Sequence, residues 1–400
     1  MFKFKIEKKL KGKLGRVGVL ETPHGIIHTP AFVTVGTKAT VKALTPEQVK
    51  DLGSQVVLAN TYHLYLQPGD EIIKKAGGLN KFMNWQGPTM TDSGGFQAFS
   101  LGAAFGEHVS KIASGQSEIS RCGAENGGTN SDCALAKIDE DGVVFRSHID
   151  GSEHRFTPEK SIQIQHNIGA DMIFAFDECT SPQASFEYQK EAMDRTHRWA
   201  KRSLDEHKKL NKEDKISLLG IVQGGRFEDL RKESAEYISK LDFDGFGIGG
   251  SFNKEDMNTA VGWVNKILPE DKPRHLLGIG EPMDLFGGIE NGVDLFDCVA
   301  PTRIARNGTL HTKNGKINIL NAKFKEDFEP IENDCECYTC KNYTKSYLAH
   351  LFRAKEILAN TLATIHNLYF INKLVADIRQ SIIDEKFEEF KKQFLEKYYG

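Results

Sequence analysis

Met172-Ile173-Phe174-Ala175-Phe176-Asp177-Glu178-Cys179 is a short run, apolar at every position, that stops on two carboxylates and a thiol. A strand this short and uniformly apolar fits a parallel strand buried on both faces. Similar runs recur on either side, at 31–35, 55–59, 89–91, 218–222, 245–248, 275–278 and 293–296. Helical stretches lie between most of them. Thr45-Pro46-Glu47-Gln48 combines an N-cap, a proline at the first helical position and a capping-box glutamine. Thr157-Pro158-Glu159 repeats the pattern, and that helix is expected to stop at Gly169. Eight strand–helix repeats predict an α/β protein, a (β/α)8 or TIM barrel. On periodicity alone, an open doubly wound sheet remains the alternative.

The composition is ordinary for 400 residues: 39% hydrophobic, 27% charged and 37 glycines. That is enough chain for one large domain with an appendage. A formal charge of −3 leaves no global basic footprint, so nucleic-acid binding would need a local patch. No apolar stretch approaches the roughly 20 residues of a membrane span. The N-terminal MFKFKIEKKL alternates Phe2, Phe4 and Ile6 with lysines. It reads as an edge strand, not a signal peptide. The protein is therefore expected to be cytoplasmic, with seven cysteines serving as thiols or metal ligands rather than disulfides. Residues 102–142, rich in Gly, Ser, Ala and Asn, read as a mobile surface insertion. Its Cys122 and Cys133 read as incidental thiols. The segment 143–149 with Gly151 reads as a returning strand or hairpin.

Catalytic groups of such barrels sit at the C-terminal ends of the strands. Here those ends carry Asp92-Ser93-Gly94-Gly95-Phe96-Gln97, Asp177-Glu178-Cys179, Gln223-Gly224-Gly225, Gly249-Gly250 and Asp297-Cys298. A carboxylate directly after a buried run is partly desolvated, so its chemistry can be tuned. Each has a plainer reading. Asp92 could cap a turn, Asp177 or Glu178 could cap a helix near Ser181-Pro182, and Asp297 could pair with Arg303. All three aspartates at strand ends suggest two carboxylates working at a glycosidic carbon and a third reading the leaving group. Gly245-x-Gly247-x-x-Gly250 matches a dinucleotide fingerprint by letter only, because its first glycines lie inside a strand. Close backbone approach to a flat ligand, with the Gly250 N–H as donor, suits it better.

Cys335-x-Cys337-x-x-Cys340, followed 26 residues later by His366, makes a Cys3His set typical of structural zinc. One straight helix from Ser346 to His366 would carry the histidine roughly 30 Å from its start. The chain must therefore bend, near Arg353–Glu356. His350 is the competing ligand. Residues 1–330 are thus read as the catalytic barrel, and 331–400 as a zinc-binding helical subdomain packing on it. From Pro301 to Lys325 there are six basic residues, Arg303, Arg306, Lys313, Lys316, Lys323 and Lys325, and no acidic one. A polyanion held there would bring its sugar close to Asp297; a solvated basic loop is the plainer reading.

Taken together, these motifs in this order resemble a tRNA-guanine transglycosylase, from about Leu14 to the C-terminus. The resemblance implies a (β/α)8 barrel with a zinc-binding subdomain. It implies exchange of guanine at wobble position 34 of GUN-anticodon tRNAs (Asp, Asn, His, Tyr) for a 7-deazaguanine, on the way to queuosine. Asp297 would be the nucleophile at ribose C1′ and Asp92 the general acid/base. Phe96 would stack on the base, Asp177 would accept from its N–H groups, Cys179 would line the pocket, and Gln223 and Gly250 would bind its carbonyl oxygen. Arg303 and Arg306, with segments 278–284 and 302–306, would hold the RNA. One structural Zn2+ per subunit, held by Cys335, Cys337, Cys340 and His366, and a homodimer are also implied.

The sequence departs from the family after Gly250. Ser251-Phe252-Asn253-Lys254 replaces the usual leucine and small residues, while Glu255 falls where the family places a supporting glutamate. PreQ1 is the expected incoming base, with queuine or another salvaged form the rival. The short stretch after His366 argues against an archaeal-type enzyme with added RNA-binding domains. Asp92 and Asp297 argue against a non-catalytic partner subunit. A glycoside hydrolase would not explain the zinc set or the basic run.

Overall fold

The computed structural model describes residues 2–98, 112–113, 136–213, 215–250, 252–253 and 256–400, with only the backbone at 112–113 and 252–253. Most of the expected insertion, with Cys122 and Cys133, lies outside the described residues. So do Ser251, Lys254 and Glu255.

Eight parallel strands close into a barrel in which each strand neighbours its successor. They are β1 (Ala31–Val35), β2 (Val57–Ala59), β3 (Thr89–Thr91), β4 (Met172–Phe174), β5 (Ser217–Val222), β6 (Gly245–Ile248), β7 (Arg274–Leu276) and β8 (Leu295–Asp297). The closure is β8 against β1, with Phe296 opposite Phe32. This settles barrel over open sheet. All six residues of β5 are buried, as expected of strands covered on both faces.

The helices begin where the sequence marks them. Thr45 caps α1 (Pro46–Asp51) with both halves of the capping box. Asn60 caps α2 (Thr61–Leu66). Thr157 caps α3 (Pro158–Ile168), which ends on Gly169 in the left-handed region at φ 73. Then follow α4 (Phe186–Leu210), α5 (Glu228–Ser239), α6 (Met257–Asn265), α7 (Pro282–Glu290) and α8 (Ala300–Arg306). The C-terminal part is helical: α9 (Tyr338–Asn342), α10 (Lys345–Ala354), α11 (Ile357–Ile383) and α12 (Phe387–Tyr399). The required bend falls at Lys355, whose φ of 59 stops α10 before α11 begins.

The N-terminal alternation forms an edge strand. Lys3–Lys9 pairs with Arg16–Thr22, which pairs with Gly25–Thr29. Val143–Arg146 and Glu153–Phe156 form the expected antiparallel hairpin. The two-residue strand Ile112–Ala113 runs parallel to Phe252–Asn253, just after the glycine pair of β6.

The chain divides into two compact units. One comprises residues 1–2, 60–79 and 90–274. Its core includes Ile162, Met172, Phe174, Phe176, Trp199, Phe243 and Phe246, all fully buried. The other comprises 3–59, 80–89 and 275–400. There α11 packs on α8 and β1, burying Leu362, Ile365, Leu368, Ile371, Val375 and Ile378 at helical spacing. Among the described residues, no helix is long and apolar enough to cross a membrane.

Candidate functional site

In the first unit, Asp92 leaves β3 directly against the start of α2. The Thr61 N–H donates to Asp92 Oδ1 at 2.9 Å, and the Asn60 amide donates to Oδ2. Asn60 also caps α2, accepting from the His63 N–H at 3.0 Å. One residue thus starts the helix and orients the carboxylate. Asp177 follows β4 and is nearly buried. The Ser93 hydroxyl donates to its Oδ1 at 3.0 Å, and Gln223 Nε2 donates to Oδ2 at 2.7 Å. The expected base-reading residues from the ends of three strands are therefore linked: Asp92 through its neighbour Ser93 to Asp177, and Asp177 to Gln223. An amide nitrogen has two hydrogens, so Gln223 can serve Asp177 and still donate to a ligand. Cys179 is buried and Phe96 half-buried in the same unit.

Glu178 is engaged elsewhere. Tyr188 donates to its Oε1 at 2.7 Å, and Arg195 donates to Oε2. Burial, then the Glu178 carboxylate, push the Tyr188 hydroxyl up to about 12. Neither Asp177 nor Glu178 caps the next helix; Ser185 does, accepting from the Tyr188 N–H. Gly245 and Gly247 lie inside β6, so the dinucleotide pattern is a coincidence of letters.

In the second unit, Asp297 ends β8. Its Oδ1 accepts from His275 Nε2 at 2.8 Å and from the Gly278 N–H at 3.0 Å. His275 is fully buried and Asp297 slightly open, at 15% side-chain exposure. Two donors on one oxygen fix the plane of the carboxylate. The adjacent Cys298 thiol is pushed up to about 11 by burial, which makes it a poor nucleophile. Arg303 is exposed on α8, and Arg306 lies one turn later. Arg306 Nη1 is buried with no hydrogen-bond partner among the described residues. Burial first, then the charge of Arg303, lower its guanidinium. Two cations on one turn, with Arg303 exposed, suit an incoming phosphate. Two other residues of the basic run are already paired, Lys316 with Glu281 at 2.7 Å and Lys313 with Asp334 at 2.5 Å. The run therefore offers less free positive charge than its six basic residues suggest. Within 278–284, Gly278 supports Asp297 and Glu281 holds Lys316.

Cys335, Cys337, Cys340 and His366 converge, with all ligand atoms within 4.8 Å of one another. His366 Nδ1 lies 3.8, 3.6 and 3.4 Å from the three sulfurs in chain order. Zinc bonds of about 2.3 Å to sulfur and 2.0 Å to nitrogen at tetrahedral angles put sulfur and nitrogen about 3.5 Å apart, so the set fits Zn2+. His366 Nε2 donates to the His311 carbonyl at 2.7 Å, which fixes the tautomer that leaves Nδ1 for a metal. Hydrogen bonds from Cys335 and Cys340 pull the Cys337 thiol down, and hydrogen bonds with Cys335 and Cys337 push the Cys340 thiol up. A cation resolves that competition by binding all three as thiolates. His350 is exposed against the Tyr347 ring and outside the cluster.

Four supporting residues escape a reading of the sequence. Asn60 ends an apolar run as the aspartates do, and that position was its only signal. Ser93 sits inside a quoted motif without a role. His275 is hidden inside a strand, and Arg231, described below, inside a helix.

A family model described as queuine tRNA-ribosyltransferase matches residues 11–122 and 124–400. The chain is 50% identical over 401 residues to the queuine tRNA-ribosyltransferase of Caldanaerobacter subterraneus subsp. tengcongensis, covering 100% of this chain and 98% of that one. It is 50% identical over 399 residues to that of Thermoanaerobacter pseudethanolicus, covering 99% and 97%. It is 46% identical over 399 residues to one from Lactococcus lactis subsp. cremoris, covering 99% and 96%. With the barrel, the held aspartates and the Cys3His cluster in place, the chain belongs to the queuine tRNA-ribosyltransferase family, the tRNA-guanine transglycosylases.

Proposed function

We propose that the protein is a pentosyltransferase that exchanges guanine at position 34 of GUN-anticodon tRNAs for a 7-deazaguanine, with preQ1 as the incoming base. The observation that carries this is the pair Asp92 and Asp297, each ending its own barrel strand and each held by two donors. Asp297 attacks ribose C1′; a C–O bond forms as the C1′–N9 bond breaks, and the electron pair stays on the base. Asp92 delivers a proton to the departing guanine and takes one from the incoming base, whose nitrogen attacks C1′ and releases Asp297. Two displacements retain configuration. Asp177 reads the base N–H groups, Gln223 and Gly250 its carbonyl oxygen, Phe96 its face and Cys179 its edge. Arg303 and Arg306, with segments 278–284 and 302–306, hold the anticodon phosphates, which the exposure of Arg303 and the placing of both cations on one helical turn support.

Cys335, Cys337, Cys340 and His366 would hold one structural zinc, whose part is to fix the fold of residues 331–400. A homodimer in the cytoplasm completes the reading. Exposed Tyr338 and Tyr347, with Tyr343 packed against both at 5.9 and 5.5 Å, give the helical region an aromatic cluster to meet a second copy, and Ile357 and Leu358 are exposed at the start of α11. Queuine as incoming base is the second reading; competition of preQ1, preQ0, guanine and queuine for one tRNA separates them.

The test of the reaction is incorporation of labelled guanine into unmodified tRNA carrying G34. Incorporation should vanish in Asp297→Ala; its absence in folded, zinc-loaded wild-type protein would sink the proposal. Arg306→Ala should raise KM for tRNA about tenfold and reduce its salt dependence, with KM for guanine unchanged.

A further inference from the structure

Arg231 has no part in the roles above, yet it is fully buried near the start of α5. Its Nε donates to the Gly225 carbonyl at 2.7 Å. Its Nη1 donates to the Gly249 carbonyl at 2.7 Å and reaches the Val222 carbonyl at 3.4 Å. One planar fork thus ties the turn after β5 to the turn after β6. Gly250 has φ +99, and a Cβ there would come within 2.5 Å of Arg231 Nη2. Only glycine allows the backbone this close. The Gly249–Gly250 peptide is trans. In a trans peptide the carbonyl and the following N–H point opposite ways. With the Gly249 carbonyl held by Arg231, the Gly250 N–H must face away from the guanidinium. Burial lowers that guanidinium to about 9, and neighbouring Cys179 acts to raise it, so it is a cation at neutral pH.

We propose that Arg231 is a positioning residue for base selection: by holding the Gly249 carbonyl it presents the Gly250 N–H as a donor, so that the pocket selects bases bearing a carbonyl oxygen at that ring position. This rests on the reading of Gln223 and Gly250 as carbonyl-oxygen binders. Were the peptide to turn over, an acceptor would replace the donor, and a carbonyl oxygen would be repelled. A site built to hydrogen-bond one substrate group discriminates strongly against an analogue lacking it.

The test uses zinc-loaded, full-length protein and two probes. 2-Aminopurine shares guanine's ring and amino group but lacks the carbonyl and, with it, the N1–H. The N1–H contribution, read by Asp177, is common to wild type and variants, so only the change in preference between them reports the carbonyl contact. Its fluorescence reports its binding, and guanine is measured by competition. The wild type should prefer guanine by about 100-fold. Arg231→Met should lose about tenfold or more of that preference, with Kd for tRNA unchanged. Arg231→Gln, which keeps one amide donor for Gly249, should fall between. A folded variant that keeps the full preference overturns the proposal, as does one that loses both bases in equal proportion, since loosening alone would do that. If Arg231→Met does not fold, Arg231→Gln decides by the same criterion. A wild type with no preference overturns the carbonyl-oxygen reading and this proposal with it; the full wild-type preference kept by the variants overturns only the role of Arg231.

Discussion

At the residue scale, the aspartates are set by neighbours that carry no chemistry of their own. Asp297 takes both described donors on one oxygen, His275 Nε2 and the Gly278 N–H. Losing the imidazole would free the carboxylate to rotate, and small losses of alignment are costly at a reacting centre. His275→Phe should lower kcat for guanine exchange by about 10- to 100-fold while KM for tRNA stays put. His275→Gln, whose amide can donate to the same oxygen, should recover most of the loss. Steady-state kinetics check this; a raised KM with kcat intact would mean His275 only supports the RNA surface. The aspartates were legible because an ionisable group ending an apolar run is conspicuous. Asn60 occupies the same kind of position, but an amide draws no such notice. His275 could not be read at all, since nothing in a strand sequence says which residue of the next strand its side chain will meet.

At the element scale, α11 does two things at adjacent residues. His366 turns into the cysteine cluster. Asn367 donates to the Pro301 and Thr309 carbonyls at 3.0 Å each and accepts from the His311 N–H. The Cys3His cluster is therefore one residue from the clamp on α8, the helix that carries Arg303 and Arg306. Stripping zinc with a chelator, or replacing Cys340 by Ser, should weaken tRNA binding well before guanine binding. Parallel titrations of the two ligands, with metal content measured alongside, would show it; equal loss of both would argue against the link. The ligand set and the bend were readable, because spacing and helix rise alone exclude a straight helix from Ser346 to His366. Strand ends were read a residue or two adrift, as at 275–278 against Arg274–Leu276, because backbone pairing ends where the neighbour ends, not where the apolar run does.

At the scale of the whole molecule, eight short runs announced eight strands, but not their closure. Whether the last strand finds the first depends on contacts far apart in sequence, and one buried ion pair beside the closure was silent. Arg16 and Asp294 are both buried and meet side-on, Nε to Oδ1 at 2.9 Å and Nη2 to Oδ2 at 2.7 Å. The Asp294 carbonyl also accepts from the Ala31 N–H at the start of β1. Arg16→Ala should cost about 3–5 kcal/mol by stranding a buried carboxylate, and replacing both partners by apolar residues should recover much of it. Urea unfolding measures both; a loss under about 1 kcal/mol would show that Asp294 is re-solvated. The same pairing sets an order in time. During synthesis, Arg16 and the β8-facing edge of β1 must wait for roughly 260–280 residues of chain before their partners leave the ribosome, although 16–22 pairs locally and β1 meets β2 much sooner. Chains halted before Leu295 should therefore be cut by protease within the first 35 residues, and chains halted after the exit of β8 should resist. The first barrel strand made is the last to gain its second neighbour.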